Sequence, residues 1–129
     1  MAFTYYGLGF LVFLVLDGLW LVIIAKKFYD DQLGYLRSSK TNFIAAIIFY
    51  LIFIAGCVYF VLLPNQDKTW ISVFTSGALF GLVSYATYDL TNLATLRDWP
   101  LKVTLIDLTW GTIATATACT LTWLIASWL

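Results

Sequence analysis

The chain has 129 residues, of which 62% are hydrophobic, 19% aromatic and only 11% charged, and its seven basic and seven acidic residues cancel. Soluble domains carry roughly a quarter charged residues, so a soluble fold is excluded, as is a nucleic-acid binder with a basic patch. Every acid is aspartate and there is no histidine, which removes the commonest general base and the commonest transition-metal ligand.

About 20 apolar residues make a transmembrane helix, and four stretches qualify. The first is predicted over Phe3–Ala25 and carries LDGLWL, with Asp17 and Trp20. It lacks a basic leader and a small-residue cleavage site, and its apolar run is long, so it reads as a span and not as a signal peptide. The loop KKFYDDQLGYLRSSK comes next. Its Phe28, Leu33 and Leu36 suit either a short amphipathic turn on the membrane surface or a solvated loop with snorkelling lysines.

The second span is predicted over residues 42–63, closed by Pro64. The third covers residues 70–96 and contains Gly77-Ala-Leu-Phe-Gly81, a spacing that permits close helix contact. The fourth covers residues 100–128, with Asp98 as its cap and Pro100 in its first turn. Gly111, Thr115 and Cys119 form a small-residue stripe along it. The two small faces are expected to pack within one bundle, with a homodimer contact as the alternative. Trp70, Trp99 and Trp128 fall at span ends, where interface aromatics belong. Cys57 and Cys119 form no metal or redox spacing and read as small core residues. The fold class is therefore all-α: a polytopic four-transmembrane-helix bundle forming one domain, residues 1–129.

Basic residues orient the spans. Lys26, Lys27, Arg37 and Lys40 lie in the first loop, Arg97 and Lys102 in the third, and Lys68 alone in the second. The first and third loops are expected in the cytoplasm, with both the N-terminus and the C-terminus outside.

Three aspartates lie inside the spans. At 1.5 Å of rise per residue, Asp89 is roughly 12 Å below Arg97, Asp107 roughly 12 Å below Trp99, and Asp17 about 13–14 Å below Lys26. The three carboxyls are thus expected at one depth. Each costs on the order of 2.5–3.5 kcal/mol if left in lipid, so all should face the bundle interior. Their surroundings supply hydroxyl, amide and aromatic groups: Trp20, Tyr85, Tyr88, Thr91, Asn92, Thr109 and Trp110, with Arg97 and Lys102 as a cytoplasmic rim. Such oxygens suit protons or hard cations. No phosphate loop, nucleophile elbow or zinc-protease motif is present, and no cofactor is expected. Asp17 and Asp89 are each followed at the third position by Trp or Asn, a hint of duplication between the first and third spans.

The segments GALFGLVSYATYDLTNLATLRDWP and LIDLTWGT, with LDGLWL and FYLIFIAGCVYF, resemble a family of small bacterial membrane proteins known as domain of unknown function 2177. The resemblance covers essentially the whole chain. It implies four spans in a bacterial membrane, specifies no activity, and includes Asp17, Asp89, Asn92, Asp107 and Trp110 in its pattern. Three roles fit these residues. One is a small transporter or proton/cation-coupled carrier in the bacterial inner membrane. Another is a binding protein or enzyme for a lipid-soluble ligand. In the last, an accessory subunit, the carboxyls serve only as interhelical bonds.

Overall fold

A computed structural model describes residues 1–129. It contains helices and no strands: α1 (Ala2–Leu19), α2 (Lys26–Leu33), α3 (Phe43–Cys57), α4 (Trp70–Thr95) and α5 (Leu101–Trp128). α1 and α3 each run on into a five-residue π turn, Trp20–Ile24 and Val58–Leu62. Four helical stretches are long and apolar enough to cross a membrane: Ala2–Ile24, Phe43–Leu62, Trp70–Thr95 and Leu101–Trp128. Each lies within a few residues of its predicted span.

The helix ends obey local chemistry. The Asn42 side chain caps α3 by accepting from the Ala45 N–H at 3.1 Å, and Thr69 caps α4 by accepting from Ser72 at 3.4 Å. Asp98 does not cap α5. It sits at φ 60°, a left-handed conformation that a short polar side chain tolerates, and its carbonyl accepts from Tyr35. Pro100 itself occupies the cap position, where its missing N–H costs nothing. Trp99 is not an interface anchor either. It is buried, and its indole donates to Thr104 at 3.0 Å. Trp70 and Trp128 are exposed.

α4 and α5 form the tightest pair, and glycine is the reason. A Cβ on Gly77 would stand 3.0 Å from the Ala116 Cα, and one on Gly81 would stand 2.3 Å from the Gly111 carbonyl oxygen. The glycine pair is therefore spent inside the chain. α1 packs antiparallel on α5 and also on α3. The main core occupies the half of the bundle farthest from the basic loops, around Tyr5, Phe13, Ile54, Leu62 and Val73. A polar knot closes the connection between α3 and α4: Asn65 donates to the Val61 carbonyl at 2.7 Å and accepts from Ser72 at 2.5 Å.

The first loop forms a helix, α2, that folds back onto the basic end of the bundle. Tyr29 is buried there with Ala25, Trp99 and Val103, and Phe28 and Leu33 pack beside them. Leu36 stays exposed. Between this small cluster and the main core the spans leave a gap.

Candidate functional site

That gap is a cavity of about 520 Å³. α1 lines it with Asp17, α4 with Ser84, Tyr85 and Tyr88, and α5 with Asp107 and Trp110. Trp20 and Leu21 come from the first π turn, Phe49 from α3, and Tyr29 and Leu33 from α2. Arg37 stands at the basic end. Phe49 and Tyr88 are 49% and 57% exposed, and both lie within spans, so the cavity opens sideways between α3 and α4.

Two carboxyls form its polar floor, and each is held by donors from other elements. Asp17 accepts from the Tyr50 phenol on α3 and from the Trp110 indole on α5, the latter at 3.3 Å. Asp107 accepts from the Tyr29 phenol, which itself accepts from the Trp20 indole at 3.1 Å. The arrangement is reciprocal. DGLW on α1 and DLTW on α5 each place a tryptophan three residues after the acid. Because the two helices run antiparallel, each tryptophan serves the other helix's acid, Trp110 directly and Trp20 through Tyr29. The Trp20 and Trp110 rings stack at 4.4 Å and 6°. This correspondence of acid and tryptophan joins the first and fourth spans.

Asp89 is placed differently. It is fully buried, does not line the cavity, and neither of its carboxyl oxygens receives a hydrogen bond. Its neighbour is another acid, Asp107, which also lies near Asp17. Two carboxylates in contact can only repel, whereas a proton between them makes a hydrogen bond. The three carboxyls do not gather into a cluster that could hold a metal ion.

The remaining expected site residues divide. Trp20, Tyr85, Tyr88 and Trp110 line the cavity. Thr91 and Thr109 are exposed on the outer helix faces, and the Thr109 hydroxyl donates to the Leu105 carbonyl at 2.8 Å. Asn92 helps end α4, its carbonyl accepting from the Leu96 N–H at 2.8 Å, and it stays outside the cavity. Arg97 and Lys102 are exposed and do not form the rim. Arg37 does, because the fold-back of α2 carries the first loop across the basic end of the cavity. Its guanidinium pairs with Asp30 at 2.7 Å, and Lys26 pairs with the same carboxylate at 2.7 Å. The Lys26 hydrogen bond holds Asp30 below the usual carboxylate range.

Tyr29 and Tyr50 were not among the expected residues. Tyr50 is eight residues from Asn42, roughly 12 Å deep, so its depth matched that of the acids and could have revealed it. Tyr29 carried no such signal, since only the fold-back of α2 brings it to Asp107. Burial and the bond to Asp107 push its phenol above the ordinary range, so it remains a donor at neutral pH.

Four spans around an aromatic cavity that carries two carboxyls define a polytopic membrane protein. The chain belongs to the family described as Predicted membrane protein (DUF2177), whose model matches residues 2–124. No curated protein and no solved structure matches it.

Proposed function

We propose that the chain is a single-domain binding protein for a small lipid-soluble ligand, taken sideways from the bilayer and held against Asp17 and Asp107. One observation carries this reading: a cavity of about 520 Å³ with aromatic walls, a few converging polar groups and exposed lining residues, Phe49 and Tyr88, inside the spans. Small-molecule sites have this size and character, roughly 300–1,000 Å³ and mostly apolar. Ionisable groups within a membrane belong by default to such sites.

Native mass spectrometry on protein released gently from its own membranes tests the proposal. Wild type is expected to carry a small-molecule adduct that Ser84→Trp, which fills the cavity, lacks. Identical adduct-free spectra for a folded Ser84→Trp and for wild type would sink the reading.

A proton-coupled carrier is the second reading, favoured by the contact between Asp107 and Asp89. It requires the far half of the bundle to open, where Tyr5, Phe13, Ile54 and Leu62 are each at most 2% exposed. Ligand-driven proton release from proteoliposomes, with the ligand crossing, would select it over binding alone.

The basic loops are assigned to the cytoplasmic side of the bacterial inner membrane, with both termini outside, on the six-to-one distribution of basic residues. A reporter active only in the cytoplasm, fused after Leu129, is expected to be silent. Activity there would reverse the orientation.

A further inference from the structure

We infer that the cavity's ligand is an organic cation, an amine or quaternary ammonium on an apolar body; this rests on the proposed binding role. The floor carries two carboxyls from different helices, Asp17 and Asp107. Each already accepts hydrogen bonds from phenol or indole donors, which hold the carboxyl oxygens in place at the cavity. The walls supply the other half of a cation site. Tyr85, Tyr88 and Phe49 surround the floor, and Trp20 and Trp110 lie against each other beside it. Aromatic faces attract a cation through their quadrupole, by more when the site is desolvated.

The competing ligand classes fit less well. An anion would meet two carboxyls, with a third, Asp89, behind Asp107. The one basic residue on the lining is Arg37, and its charge is engaged by Asp30. A neutral apolar molecule would cover the two carboxyls without supplying a counter-charge. A cation is attracted to both carboxyls and both kinds of wall. A quaternary ammonium needs no hydrogen-bond acceptor, so the donors already on Asp17 and Asp107 need not be displaced.

Three near-isosteric probes isolate charge: benzyltrimethylammonium, the neutral neopentylbenzene and the anionic benzylsulfonate. Binding to the purified protein is monitored by tryptophan fluorescence against matched detergent blanks. The ammonium is expected to bind at least tenfold more tightly than the neutral probe, and the sulfonate more weakly still. Asp17→Asn should weaken the ammonium at least tenfold. Tyr88→Leu, at a half-exposed position where folding is not at stake, should weaken it about threefold and leave neopentylbenzene unchanged. Equal binding of the ammonium and neutral probes, or tighter binding of the sulfonate, overturns the inference. If none of the three binds while the native adduct persists, the cation class falls and the binding role stands. If the adduct is absent as well, both fall.

Discussion

Gly81→Leu is expected to abolish the folded bundle. A Cβ at this position would already stand 2.3 Å from the Gly111 carbonyl oxygen and 2.7 Å from the Thr115 side chain. The first of these is backbone, so relief requires α4 and α5 to separate. Overfilling a packed interior by even a few methylenes costs about 1–3 kcal/mol. Leucine adds a whole branched side chain at the closest approach of the tightest helix pair, so the loss should exceed that range. Gly81→Ala should fall within it. Gly77→Ala should cost less, because its nearest neighbours are at 3.0 and 3.2 Å. Helix content and thermal unfolding in micelles, by circular dichroism, give the ranking Gly81→Leu, then Gly81→Ala, then Gly77→Ala. A leucine variant as stable as wild type would mean that α4 and α5 do not pack through this stripe.

The second large effect belongs to Asp17. Its carboxyl ties three spans together, α1 to α3 through Tyr50 and α1 to α5 through Trp110. Hydrogen bonds between membrane helices contribute about 0.5–2 kcal/mol each, so Asp17→Leu should cost about 1–4 kcal/mol and lose the ligand. Asp17→Asn retains an acceptor oxygen and the side chain's size. It should cost about 1 kcal/mol or less and still lose the ligand, which separates a binding role from a purely structural one. Asp89→Asn provides the contrast. Its amide can donate to Asp107 at any pH, whereas two carboxyls make that bond only when a proton lies between them. Stability should hold or rise by about 0.5–1.5 kcal/mol, the worth of one hydrogen bond, with ligand binding retained. Thermal unfolding and the native adduct mass, read on all three variants, check the set. If Asp17→Asn kept the adduct, Asp17 would be a structural bond only.

Much of the architecture was visible in the chain before any coordinates. Apolar length and the polar interruptions at residues 26–41, 64–69 and 96–100 are enough to place four spans, because a helix satisfies every backbone group of an apolar segment within the segment itself. The spacing of Gly77 and Gly81 marked a close contact, and the structure assigns it to α5. The depths of Asp17 and Asp107 were also readable, since rise per residue is fixed once a span is granted. What depth could not supply was azimuth. Thr91 and Thr109 share the level of the acids but point outward, and Arg97 and Lys102 share the basic end but miss the opening. The π turn at Trp20–Ile24 widens the helix by one residue and rotates the facing of the residues beyond it, which no periodicity announced. The return of α2 was hidden for another reason. KKFYDDQL is largely polar, so its packing depends on three residues, Phe28, Tyr29 and Leu33, in a cluster that includes the distant Trp99 and Val103.

The central proposal is that a molecule dissolved in the bilayer reaches Asp17 and Asp107 but not Asp89. Dicyclohexylcarbodiimide, a lipid-soluble reagent that attaches to protonated carboxyls, tests it most directly in intact membranes at mildly acidic pH, with modified peptides identified by mass spectrometry. The expected result is modification at Asp17 or Asp107, none at Asp89, and protection in Ser84→Trp. No modification at Asp17 and Asp107 in the native protein, when the same reagent marks both after unfolding in dodecyl sulfate, would contradict it. So would equal modification of wild type and the filled variant.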